Sequence, residues 1–177
     1  MALVLSATLL SCTIQGLTND YSKLSVENKA KVVPLENFEN LNTEQIYKIN
    51  AQQLKSELAK HPQSLVYIFK NGCTSDLCKP MYVYENFANK KGYKLFLVMN
   101  GYDGLNSTLD RRISFKSPLF SIDNNFYESK YRITYTRYFE NELTGKPRET
   151  KRGEYLGNLY FFKGSQLEKI ERDLPKS

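Results

Sequence analysis

A single histidine, His61, serves all 177 residues, which leaves little room for imidazole-based metal chemistry or for a set of histidine acid/base groups. Zinc is not expected, nor is any other metal or cofactor. No stretch approaches the ~18 consecutive apolar residues of a membrane-spanning helix, which excludes a polytopic membrane protein. Too little of the chain is polar for disorder to be its main state: 41% is apolar, including 13 Tyr and 10 Phe, enough for one domain with a core. Cysteine is also scarce, with three in all, and each occurrence carries meaning.

The first, Cys12, closes an apolar run over residues 2–11 in which only Ser6, Thr8 and Ser11 are polar. The run is too short to cross a bilayer but suits the apolar core of an export signal. No Lys or Arg precedes it, whereas a secretory signal normally carries one. The closing letters Leu9-Leu10-Ser11-Cys12 resemble the lipobox of bacterial lipoproteins. That resemblance implies a signal peptide over 1–11 and a mature chain beginning at Cys12, whose sulfur would carry diacylglycerol and whose amine an acyl chain such as palmitate. Such an anchor holds a protein on a membrane, here in the bacterial cell envelope outside the cytoplasm, facing the periplasm rather than the cell surface. In that compartment Cys73 and Cys78 are expected to act as a pair.

Residues 12–41 show no sustained period and read as a tether from lipid to domain. Asn42, with Gln45 three positions on, caps a predicted helix whose apolar stripe is Tyr47, Ala51, Leu54 and Leu58, ending at His61-Pro62. His61 is then a chain-end residue. Leu65–Phe69 is a continuous apolar run between Pro62 and Asn71-Gly72, the pattern of a strand covered on both faces. Leu77, Met81, Tyr84, Phe87 and Ala88 mark a helix stopping at Gly92, and Lys94–Met99 is a second buried strand, completing a βαβ unit. Leu159–Phe162, Lys163-Gly164-Ser165 and Gln166–Ile170 make a β-hairpin. The expected sheet is mixed.

This order of elements, with cysteines between the first strand and the next helix, resembles the thioredoxin-like fold over residues 42–174, with an insertion at about 100–155. Gly72-Cys73-Thr74-Ser75-Asp76-Leu77-Cys78 is similar to the Gly-Cys-Thr-x-x-x-Cys of bacterioferritin-comigratory peroxiredoxins, and Lys79-Pro80-Met81 to what often follows a thioredoxin pair. The resemblance implies Cys73 as nucleophile, Cys78 as resolving thiol and a protein thiol or disulfide as partner. Lys70 and Val66 stand where those peroxiredoxins have Thr and Pro, so peroxide activation is not expected. The cis-proline that precedes the hairpin in thioredoxins has no counterpart in Leu156-Gly157-Asn158. Copper delivery, which one thioredoxin-like family performs, is not expected either: the cysteine spacing is longer, Pro80 is not adjacent to Cys78, and His61 precedes the strand.

On one intact helix, Cα atoms five positions apart would lie roughly 8.7 Å from each other, too far for a disulfide. Pro80 therefore argues for a cap at Asp76, with Cys78 at the second helical position and Cys73 in the loop before it. There the helix N-terminus and Lys79 would favour a thiolate and Asp76 would oppose it. The residues leave three states open: an exchanging pair, a structural disulfide in a non-catalytic binding or scaffolding lipoprotein, and two independent thiols.

Between Met99 and Leu159 lie 59 residues, and positions 111–152 within them hold ten Lys/Arg against five acids, most of the chain's net +6. Tyr131, Tyr135, Tyr138 and Phe139 suggest a helix there, with Gly145 as its stop. Such a basic, aromatic insertion serves as a solvated face, as an attraction for anionic lipid or polysaccharide, or as the wall of a partner site. An exported protein meets little nucleic acid, and no nucleic-acid partner is expected.

Overall fold

The run Leu65–Phe69 has apolar side chains at every position, so as a strand it must be covered on both sides. It forms β3 (Gln63–Phe69), and the same holds for β4 (Lys94–Met99), which lies parallel to it with Leu65 opposite Leu95 and Phe69 opposite Met99. The connection runs through α3 (Met81–Lys91), which stops at Gly92 in the left-handed conformation at φ 76°, where a side chain would be strained. The computed structural model describes residues 16–73, 75 and 78–175.

Beyond this unit the molecule is an α/β protein with a seven-stranded mixed sheet flanked by helices. The remaining strands are β1 (Val32–Pro34), β2 (Ile46–Ile49), β5 (Leu119–Ile122), β6 (Leu159–Lys163) and β7 (Gln166–Glu171). Their order across the sheet is β1-β2-β5-β4-β3-β6-β7. The pairs from β1 through to β3 are parallel, and β3-β6 and β6-β7 are antiparallel. The predicted hairpin is therefore present, its turn at Gly164.

Alternation along the central strands separates two cores. Val66, Ile68, Phe96 and Val98 face α2 (Ala51–Leu58) and α5 (Arg132–Leu143). Leu65, Tyr67, Phe69, Leu97 and Met99 face α3, where Tyr84 stacks on Tyr67 at 4.2 Å between ring centroids. Each such fully buried side chain contributes about 1.5–3 kcal/mol, so these two strands form the most strongly held part of the sheet. Among the described residues no helix is long and apolar enough to cross a membrane.

Two expectations are corrected here. The helix predicted from Asn42 is two elements: β2, then α2, whose cap is Asn50. Asn50 Oδ1 accepts from the Gln53 amide at 2.9 Å and Gln53 Oε1 from the Asn50 amide at 3.0 Å, a reciprocal capping box eight residues beyond the pair suggested by Asn42 and Gln45. Ile46 and Ile49 are fully buried between neighbouring strands, and that pairing overrides the helical spacing of Tyr47 with Ala51.

The segment read as a tether is folded over its described part. It makes a 3₁₀ turn at Tyr21–Lys23, then α1 (Val26–Lys31) capped by Ser25, then β1 at the sheet edge. Three residues are too few to show a period, and Pro34 suits an edge strand. The insertion contributes β5, fully buried between β2 and β4, besides α5, whose Tyr135 and Phe139 are core residues as their spacing suggested.

Candidate functional site in the cysteine loop

The cysteines lie where β3 ends, at the carboxyl edge of the parallel strands, the position at which open α/β sheets place ligands. Asn71, two residues past the strand, is buried and fixes the start of the loop. Its side-chain amide donates to Gly101 O at 2.7 Å, and Thr108 Oγ1 donates to its side-chain carbonyl at 2.7 Å. Gly72 follows at φ 63°, close to the backbone of Gly104, itself at φ 73° and lying against the Asn71 carbonyl. Two loops thus meet backbone to backbone beneath Cys73, a contact that side chains at these glycines would obstruct.

Cys73 and Cys78 are joined by a disulfide with Cα atoms 6.0 Å apart, within the ordinary range. Cys73 is in the loop, as expected. Cys78 is not at the second helical position: α3 begins at Met81 with Pro80 as its cap, and Cys78 closes a turn in which its amide donates to Ser75 O at 2.8 Å. The cause is Pro80, which pushes Lys79 out of the helical region and moves the helix start beyond both cysteines. Asp76, the expected cap, lies outside the described residues. Lys79 pairs with Asp173 beyond β7, holding that carboxyl below the usual range. It ties the loop to the end of the hairpin while lining the smaller cavity beside both cysteines.

Both cysteines are half-buried. A cleft of about 660 Å³ lies on one side of the disulfide and a smaller cavity of about 40 Å³ on the other, and both cysteines line each of them. The large cleft is walled by the ends of β3 and β4, the first turns of α5, and the stretch before β6. Its N-terminal wall is Gly16-Leu17, part of the segment expected to be a tether. Leu17 O accepts from the Arg132 amide at 3.0 Å, and Asn19 O from the Tyr102 amide at 2.8 Å. Asp20, 4% exposed, secures this wall by accepting from the Gly16 amide at 2.7 Å and pairing with Lys23 at 2.9 Å. Burial alone would raise its carboxyl, but Lys23, the Gly16 amide and the Thr18 hydroxyl together hold it below the usual range.

Among the described residues four cations border the cleft, Lys70, Arg132, Arg152 and Arg172. One acid does, Glu140, whose side chain is 18% exposed and 3.5 Å from Arg152. Burial pushes its carboxyl up from the usual range, while Arg152 and the Tyr160 hydroxyl, which donates to it, only partly offset that effect. Glu140 escapes sequence reading because nothing in its neighbourhood marks it. By contrast Arg132 and Arg152 belong to the counted basic stretch, and Lys70 is one of the two residues that depart from the peroxiredoxin pattern.

His61 sits at the end of α2, its Nε2 3.0 Å from Glu57 Oε1, a chain-end role as expected. Among the described residues no three His, Cys, Asp or Glu converge as a metal site would require. Cys12 lies outside the described residues. No family model, curated protein or solved structure matches this chain.

Proposed function

We propose that this chain is a lipid-anchored, extracytoplasmic protein of thioredoxin-like arrangement that exchanges thiols and disulfides through Cys73 and Cys78. The observation that carries this reading is a disulfide at the carboxyl end of β3 with a cavity on either side. A purely structural bridge gains nothing from such access. The thioredoxin-like arrangement is supported by β3 lying between parallel β4 and antiparallel β6, with the pair directly after it. The anchor rests on the lipobox-like Leu9-Leu10-Ser11-Cys12, and an oxidised pair suits an oxidising compartment.

The chemistry balances within the pair and its partner. The Cys73 thiolate attacks a partner disulfide, one partner sulfur leaves as thiolate, and a mixed disulfide forms. The Cys78 thiolate then attacks the Cys73 sulfur and releases the second partner sulfur. The partner gains two electrons and two protons, and the pair is oxidised; the reverse sequence oxidises a partner dithiol.

One observation favours the alternative, a scaffolding lipoprotein with an inert bridge: Lys79 is engaged by Asp173 and is not free to stabilise a thiolate. Single-thiol chains separate the two. With Cys12→Ser in both, the Cys78→Ser chain should form a mixed disulfide with oxidised glutathione at least tenfold faster than the Cys73→Ser chain at pH 7. Equal rates, both those of an unperturbed thiol, would contradict the assignment of Cys73 as nucleophile.

A further inference from the structure

The exchange reading leaves the partner open, and the cleft narrows its chemistry. Among the described residues, Lys70, Arg132, Arg152 and Arg172 face one acid, Glu140, so the described walls of the cleft carry an excess of positive charge. The ion pairs that Lys70 and Arg172 make elsewhere are weak: Lys70 is half-exposed and 3.5 Å from Asp103, and Arg172 is 4.0 Å from Glu154, an exposed pair, and such contacts contribute little. Arg172 also donates to Tyr155 O at 2.6 Å, which holds its guanidinium beside the cleft. Arg132 is packed so closely that a Cβ on Gly16 would come within 2.5 Å of its Nη2, and its Nη1 is buried without a hydrogen-bond partner. A buried guanidinium nitrogen left unpaired is costly, and an anionic group arriving in the cleft would satisfy it.

The positive surface continues away from the sulfurs. Glu140, Arg152 and Tyr155 also border an adjoining small cavity whose other walls include Arg137, Lys146 and Lys151. Beside these charges stand exposed apolar side chains that a folded chain normally covers: Leu17 at 50%, Ile133 at 66% and Tyr155 at 48% exposure. A track of cations starting at a disulfide and flanked by apolar contacts suits an extended chain better than a compact small thiol.

We infer that the cleft recognises a cysteine-bearing polypeptide segment that is acidic, with apolar residues beside its carboxylates, and presents that cysteine to the Cys73–Cys78 bridge. This rests on the exchange reading. Acidic side chains of the segment would reach Arg132 and Arg152, and its apolar residues would cover Ile133 and Tyr155. Opposite charge across such a cleft raises encounter rates and makes them depend on salt.

Two arms test recognition and exchange separately, using the full chain with Cys12→Ser and an oxidised pair. In the first, a labelled peptide carrying Glu and Leu around a Ser in place of its cysteine is titrated by fluorescence anisotropy against its Lys-for-Glu counterpart. The acidic peptide should bind at least tenfold tighter in 20 mM salt, with most of that advantage lost in 500 mM salt. Lys70→Gln and Arg172→Gln, both at exposed positions, should each weaken it severalfold. In the second arm the cysteine forms of both peptides reduce the bridge, each rate divided by the same peptide's rate with hydroxyethyl disulfide, and the acidic one should again lead tenfold. Equal binding of the two peptides overturns the inference and leaves exchange standing. Salt-sensitive binding of the acidic peptide, with a bridge that neither peptide reduces, overturns the exchange reading and keeps the acidic segment as ligand. Phosphatidylglycerol vesicles that bind the chain through Lys70 and Arg172 and displace the peptide would make this a lipid-facing surface and overturn the inference.

Discussion

The Thr108 hydroxyl donates to the Asn71 side-chain carbonyl at 2.7 Å, directly beneath the loop that leads into Cys73. Asn71 also donates to Gly101 O, so one buried side chain joins three segments at the carboxyl end of the sheet. Asn71→Ala would leave Gly101 O and the Thr108 hydroxyl buried without these partners, at about 1–3 kcal/mol for each such group. Urea unfolding should therefore show a loss of about 2–4 kcal/mol, and thiol titration a Cys73–Cys78 bridge that is reduced more readily as its loop loosens.

Glu140 gives a pH dependence of defined sign. Its carboxyl is raised in the folded chain, chiefly by burial, so the folded state holds the proton more tightly than the unfolded state does. The stability this supplies is complete below the ordinary glutamate value near 4.5 and is lost as pH rises from there through the folded value. Glu140→Gln removes that titration. Chemical denaturation of both chains between pH 4 and pH 8 should show the glutamine chain gaining on the parent as pH rises. A constant difference would contradict the burial of this carboxyl.

Gly157 lies in backbone at φ 148°, where an added Cβ would meet Glu171 O at 2.1 Å. Asn158, next in the chain, takes part in the backbone bonds that join β6 to β7 and to β3. Gly157→Ala must therefore push the hairpin away from its own second strand. The expected cost is about 3 kcal/mol or more, read as a clear fall in Tm. Gly153→Ala, with nothing within 4 Å of its Cβ, should be close to neutral.

Removing the bridge tests how structural it is. Its two cysteines are five positions apart, and closing so short a ring is worth about 2 kcal/mol in the chain-entropy view. The Cys73→Ser/Cys78→Ser chain should lose about that much and no more in urea. A loss of 5 kcal/mol would favour a staple over an exchanging pair.

How far these elements could be read in advance follows from their length and cover. β3 and β4 are apolar at nearly every position, and Gly92 and Gly164 mark real stops, so the βαβ unit and the hairpin are legible. β1 and β5, three and four residues long, carry no period of their own and exist because neighbours pair with them. β2 was hidden by a spacing of Tyr47, Ala51, Leu54 and Leu58 that is helical only from Ala51 onward. At the site the cysteine pair is plain in the sequence and so is the regional charge. That Arg132, Arg152, Arg172 and Glu140 share one cleft with the sulfurs depends on β5 entering the sheet and α5 packing over it. The folded wall at Gly16-Leu17 depends on Asp20, an acid with no local signal for what it holds.

The reduction potential of the Cys73–Cys78 pair tests the central claim most directly. The full chain with Cys12→Ser, equilibrated in graded dithiothreitol and glutathione buffers and scored by the mass shift of thiol alkylation, should give a value above about −300 mV, within the span of exchanging pairs. A value below about −300 mV, with no turnover of any dithiol or disulfide substrate, would contradict exchange and leave the bridge a structural one.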